Sequence, residues 1–178
     1  MLDRLREPLD APWTPVAGWH VALAGAFALV ACFFGLTGER WFPVLDSANL
    51  VFHEAGHPLV GALSHRLAVY GGTLMQLAIP AAVAASFWRR REPLGFALGG
   101  VWLFQNLFNI ARYVADARAQ ALPLVGGGDH DWTEILARWG VLHLDGALAR
   151  LLTVAAVVGA AACVGWLALR WRRPDDDG

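Results

Sequence analysis

The stretch PVLDSANLVFHEAGHPLVGALSHRLAVY, Pro43 to Tyr70, decides how the rest of the chain is read. It is apolar enough to enter a membrane, yet it carries Asp46, Asn49, His53, Glu54, His57, Ser64, His65 and Arg66. Polar side chains at bilayer depth are expensive and mark a functional site by default. Pro43 suits a first helical turn, and Gly71-Gly72 supplies a stop. Inside the stretch, His53-Glu54-Ala55-Gly56-His57 puts two histidines one helical turn apart on one face, where both imidazoles reach a single ion. The intervening Glu54 falls close enough to act as general base on a metal-bound water. Burying these groups in hydrocarbon costs several kcal/mol, roughly, unless something compensates. A metal does so; the alternative is a polar helix face paired with other polar side chains.

Outward from this segment the chain reads as an all-α, polytopic membrane helix bundle. Hydrophobic residues make up 57% of its 178 residues and charged residues 16%. A soluble surface needs about 25% charge. Crossing the hydrocarbon takes about 20 apolar residues. Runs near Val16–Leu36, Gly72–Trp88, Pro93–Val114 and Leu148–Leu169 meet that length. With the His53 segment they make about five membrane segments. The region 117–147 holds a Gly-rich loop and a short interfacial helix with Trp132 and Trp139, placed before the last span. Trp41, Trp88, Trp102 and Trp171 fit an aromatic belt. Residues 1–178 form a single domain, with 1–15 as an N-terminal segment and 174–178 as an acidic, disordered tail.

All fourteen basic residues are arginine, and net charge is −1, so no global field points to nucleic acid. Arg89-Arg90-Arg91 and Arg170, Arg172, Arg173 should both face the cytoplasm by the positive-inside rule. Five full crossings would then put the N-terminus outside, against Arg4 and Arg6. A His53 segment that is re-entrant, or only partly crosses, removes the conflict. The expected location is a cell inner membrane, with the lipid bilayer as partner. Cys32 and Cys163 sit in apolar runs and read as small core residues, not as a disulfide or metal pair.

A catalytic zinc takes three protein ligands and a water, so one ligand must come from elsewhere. In the fourth run Gln105, Asn109, Arg112 and Asp116 recur at steps of 4, 3 and 4 on one helix face. Asp116 at the end of that stripe can complete the site, or it can simply pair with Arg112. His130, behind Gly126-Gly127-Gly128, is an alternative ligand. Its neighbours Asp129 and Asp131 are possible ligands as well, although one or the other has a plainer role as the N-cap of the following helix, Asp131 with Glu134 forming a capping-box-like pair. Asp145 is a further alternative, with a helix start as its plainer role. Gln76, after Gly71-Gly72, can hydrogen-bond a substrate backbone, although a plain interhelical turn is the preferred reading of the segment. Asn109 or Arg112 can steady an oxyanion.

An HEAGH motif in an apolar helix, a following Gly-rich turn and a later helix with Asn and Asp resemble the site-2 protease family of intramembrane zinc metalloproteases. The resemblance covers about the middle half of the chain. It maps the family's two histidine ligands onto His53 and His57 and its base onto Glu54. It departs at the family's N-x-x-P…D-G pattern: no proline lies between Asn109 and Asp116, and Ala117 replaces the glycine. Leu144-Asp145-Gly146 matches only the last letters. The resemblance implies a Zn2+ cofactor and a membrane-protein or peptide substrate. It implies hydrolysis of a peptide bond in or near a membrane segment by a compact, divergent relative. Two other readings compete. One is a non-proteolytic membrane metal-binding or regulatory protein, which has no need of Glu54. The other is a di-iron oxygenase or desaturase, which wants more histidines than this chain can place together.

Overall fold

Long helices form where the sequence supplies a sustained, predominantly apolar run, and four such runs are realised as helices. The computed structural model describes residues 12–37, 41–125 and 129–173. The acidic tail, Arg4 and Arg6, and Gly126–Gly128 lie outside the described residues. Among the described residues there are six α-helices and no strand. They are α1 (Gly18–Leu36), α2 (Leu45–Gly61), α3 (Ala68–Arg89), α4 (Pro93–Ala115), α5 (Asp131–Arg138) and α6 (Asp145–Arg172). A 3-10 turn precedes α3 and another precedes α6.

Helices α1, α3, α4 and α6 are long and apolar enough to cross a membrane. The expected fifth segment is not one of these. It divides in two: α2 stops at Gly61, and residues from Ala68 onward belong to α3. At 17 residues, α2 is about 25 Å long, short of the ~30 Å hydrocarbon thickness. Its close approaches to α3 fall at Ala68, Gly71, Gly72, Met75 and Gln76. Its hydrogen bonds to α4 reach only Trp102 to Asn109. Helix α2 is therefore packed within one half of the bundle.

Gly71-Gly72 is not the stop expected from composition; both glycines lie within α3. They are there because α2 comes too close for side chains. A Cβ on Gly56 would lie 2.1 Å from the carbonyl oxygen of Gly71, and one on Gly71 would lie 2.3 Å from that of Gly56. Small residues at facing positions let helix backbones approach closely. Pro58 in α2 and Pro80 in α3 each remove the helical N–H that would bond the carbonyl four residues back. Those carbonyls belong to Glu54 and Gln76.

Helix α4 is the central post, touching α1, α3, α5 and α6. Ala24 and Ala97 meet Leu167 in one apolar cluster, and Ala31 and Val101 meet Ala160 in the next. A third cluster joins Ile110, Val114 and Ala117 to Leu136 of α5 and Ala149 of α6. Where α2 faces α4, the contact is polar instead. Asp46 Oδ1 accepts from Gln105 Nε2 at 2.7 Å and Asn109 Nδ2 at 2.9 Å. Asn49 donates to Gln105 Oε1 and accepts from Trp102 Nε1, both at 2.8 Å. These buried groups satisfy one another, which removes most of the penalty of placing them there.

The N-terminal segment closes the opposite end. Thr14 N donates to the Arg91 carbonyl at 2.9 Å. Trp13 packs edge-on against Trp88 and Trp166, and the guanidinium of Arg170 lies 4.5 Å from its ring centroid. Cys32 and Cys163 are free thiols.

Candidate metal centre

The motif helix does what its spacing dictates: His53 and His57 lie one turn apart with ring centroids 5.0 Å apart. The third group comes from α5, the short helix before α6. Asp131 Oδ2 lies 2.9 Å from His53 Nε2 and 3.3 Å from His57 Nε2. The three donor atoms all fall within 4.8 Å of one another. His53 and Asp131 are buried and His57 is partly open.

Hydrogen bonds behind the imidazoles set their tautomers. His57 Nδ1 lies 2.9 Å from the backbone carbonyl of Ala68, which can only accept. His53 Nδ1 lies 3.2 Å from Gln76 Oε1. With the ring hydrogens committed there, a neutral ring turns the lone pair of Nε2 toward Asp131. Two lone pairs and a carboxylate then converge with no proton between them. Protonating one ring satisfies one contact; a divalent cation satisfies all three. Two imidazoles and a carboxylate are a zinc donor set, and an oxygen acceptor behind each ligating histidine is the usual support. Separations of 2.9 and 3.3 Å lie near the roughly 3.3 Å edge of a tetrahedron with metal bonds of about 2.0–2.1 Å. The residues fit zinc.

Asp131 is held by what surrounds its backbone. Its N–H donates to the Tyr113 hydroxyl at 3.1 Å. The Thr133 hydroxyl bonds the Ala117 carbonyl, and Arg138 donates to the Arg66 carbonyl at 2.6 Å while pairing with Glu134. Ile135 and Leu136 are buried. Helix α5 is thus docked by one apolar face and clamped at both ends.

The third ligand expected from the stripe on α4 is not in this cluster. Asp116 caps the C-terminus of α4 and accepts from the backbone N–H groups of Ala121 and Leu122, at 2.9 and 3.0 Å. Its carboxylate serves the turn that follows the helix. Nor is it paired with Arg112, which is exposed on the wall of the cavity. His130 exchanges roles with its neighbour. Expected as a ligand, it is the N-cap of α5, its Nδ1 accepting from Thr133 N at 3.2 Å. That acceptor role leaves the hydrogen on Nε2, which faces Asp116 Oδ2 at 3.3 Å without hydrogen-bond geometry. Asp131, expected as a cap, has its side chain on the histidines. Asp145 opens α6 and holds Arg118 with two bonds of 2.7 and 2.8 Å. The carboxylate raises the Arg118 guanidinium above its ordinary value.

Gln76 Oε1 supports His53 and Asn109 Nδ2 donates to Asp46, and both residues line the cavity beside the three donor atoms. Glu54 is half-buried on the wall of a cavity of about 800 Å³ that reaches His53, His57, Asp131, Arg112 and Tyr113. Tyr113 carried no signal of its own, although it lies one turn past Asn109. Its ring packs 4.1 Å from His130 and 5.8 Å from His53.

No protein-family model, curated protein sequence or solved structure matches the chain.

Proposed function

We propose that this protein is an intramembrane zinc metallopeptidase that hydrolyses a peptide bond in or near a membrane segment. The observation that carries the reading is the convergence of His53 Nε2, His57 Nε2 and Asp131 Oδ2 beside Glu54, on a cavity large enough for a peptide segment. Ligand sites commonly occupy about 300–1,000 Å³. The resemblance to site-2 proteases stands on His53, Glu54 and His57, with Asp131 in the third position.

Zinc held by these three residues would polarise the scissile carbonyl and lower the pKa of its water toward about 7. Glu54, next to His53 on α2, accepts the proton of the attacking water and delivers it to the leaving amine. Water oxygen forms the new bond to the carbonyl carbon, and the C–N bond breaks with that proton on nitrogen. Arg112, exposed on the cavity wall, is a cation available to a developing oxyanion. Gln76 and the Ala68 carbonyl hold the imidazoles in the ligating tautomer.

The test is a zinc measurement on purified protein together with cleavage of a reporter membrane substrate, comparing wild type with Glu54→Gln. Wild type should hold one zinc and cleave; the variant should hold zinc and not cleave. Stoichiometric zinc with no cleavage by wild type would transfer the reading to a membrane metal-binding protein.

A further inference from the structure

Arg66 is exposed on the 3-10 turn between α2 and α3, and its guanidinium has no partner among the described residues. Its backbone carbonyl is taken by Arg138 of α5, whose Nη1 donates to it at 2.6 Å while Nη2 pairs with Glu134. Beside these two arginines lies a groove of about 580 Å³, lined by Ser64, Arg66, Leu67, Tyr70, Arg138 and Trp139. It is distinct from the metal cavity, with which it shares Arg138. Both charged residues of its lining are cations. Glu134 offsets Arg138 from the metal-cavity side, which leaves Arg66 as the uncompensated charge. Tyr70 and Trp139 stack with ring centroids 6.3 Å apart. Two of the spans begin at this groove, one at His65 and one at Leu142. Arg66 and Tyr70 therefore open one span, and Trp139 lies just before the other. A span end is where hydrocarbon gives way to the headgroup layer, and tryptophan, tyrosine and arginine are the side chains suited to that level. Leu63, Leu67 and Trp139 are exposed there at 87%, 49% and 54%. A soluble anion gains nothing from them; an acyl chain buries them.

We propose that this groove is a binding site for an anionic phospholipid, its phosphate between Arg66 and Arg138 and its acyl chains on Leu63 and Leu67. A guanidinium presents a planar fork of donors that matches phosphate oxygens, and the Ser64 hydroxyl is a further donor in the lining. A zwitterionic lipid carries its own cation beside the phosphate and gains less from Arg66. The chemistry is the same in either leaflet. The site requires the bundle to lie in a bilayer and nothing of the peptidase reaction.

The experiment is native mass spectrometry of the full chain in detergent, titrated with phosphatidylglycerol or with phosphatidylcholine of the same acyl chains. Wild type should bind phosphatidylglycerol in preference to phosphatidylcholine. Arg66→Gln keeps the backbone carbonyl that anchors Arg138, so α5 stays docked. It should weaken phosphatidylglycerol binding by about 5-fold, the worth of one arginine at an anionic lipid surface, and leave phosphatidylcholine binding unchanged. Arg66→Glu should abolish the preference. Arg172→Gln, at an exposed arginine of the opposite end, should behave as wild type. Equal binding of the two lipids by wild type overturns the proposal, as does a wild-type preference in Arg66→Gln and Arg66→Glu. A loss in Arg172→Gln as large as that in Arg66→Gln would show attraction to charge in general and overturns the site. Inorganic phosphate at millimolar concentration should leave the lipid bound; displacement would assign the groove to a soluble phosphate and overturns the lipid. None of these measurements involves cleavage, so the lipid site and the metallopeptidase reading fail separately.

Discussion

Gly72 of α3 lies flat against the imidazole of His53: a Cβ at that glycine would sit 2.5 Å from Cε1 and Nε2 of the ring. One of the atoms that would be struck is the nitrogen that faces Asp131. Glycine here sets the depth to which the first ligand can sink, and Gln76 one turn on fixes its rotation.

Gly72→Ala should therefore damage the metal site more than the fold. Overpacking of a well-fitted contact costs about 1–3 kcal/mol, and the cheapest relief is to swing His53 away from Asp131. Zinc titration should show affinity falling by at least about the 10–100-fold that a disturbed supporting contact costs. Circular dichroism should show helix content unchanged. A variant with wild-type zinc affinity would mean that His53 is not held where it is described.

His53→Ala, His57→Ala and Asp131→Asn should each abolish stoichiometric zinc, because two remaining ligands do not hold a catalytic ion tightly. Asp116→Asn should keep its zinc. That substitution weakens the capture of the Ala121 and Leu122 N–H groups and should lower stability by about 1 kcal/mol, the usual worth of such bonds. Elemental analysis of the four purified variants separates the two aspartates directly. Zinc lost from Asp116→Asn and retained in Asp131→Asn would reverse the assignment.

Gln76→Ala removes the acceptor behind His53 while leaving all three donor atoms in place. Affinity for zinc should drop by about 10–100-fold, the usual effect of removing a supporting contact. Gln76→Glu, which still accepts from Nδ1–H, should restore most of it. Equal loss in both variants would point to packing and not to the hydrogen bond.

How much of this was legible in the sequence follows from the range of each signal. Hydropathy over a window located α1, α3, α4 and α6 to within a few residues, because each averages to apolar over its own length. The pairing of His53 with His57 is a property of one helix, and four-residue spacing contains it. Gly71-Gly72 misled because glycine breaks helices in isolation, whereas here Gly56 opposite makes glycine the residue that fits. Asp131 lies 78 residues from His53, beyond anything that periodicity carries. The stripe on α4 was real for Gln105 and Asn109, which both bond Asp46, but α4 ends before Asp116 can continue it. Between His130 and Asp131, a one-residue difference in where α5 begins decides which side chain caps and which one ligates.

Tyr113 is the residue of the centre that no motif announced, and its role can be separated from that of the ligands. Its hydroxyl accepts from the Asp131 N–H at 3.1 Å, so its own hydrogen remains to be donated toward the cavity that it lines. The ring is packed against His130, which fixes where that hydroxyl oxygen sits. Tyr113→Phe keeps the ring and removes both functions. The unpaired Asp131 N–H should loosen the start of α5 and cost zinc affinity by about 10-fold, at the low end of the effect of a supporting contact. At saturating zinc that deficit disappears, and any remaining loss of kcat belongs to the missing donor. Removing one such donor from an oxyanion site costs on the order of 100-fold in rate. Kinetics at saturating zinc are therefore expected to show lower kcat with KM little changed. Full recovery of kcat on adding zinc would confine Tyr113 to positioning Asp131.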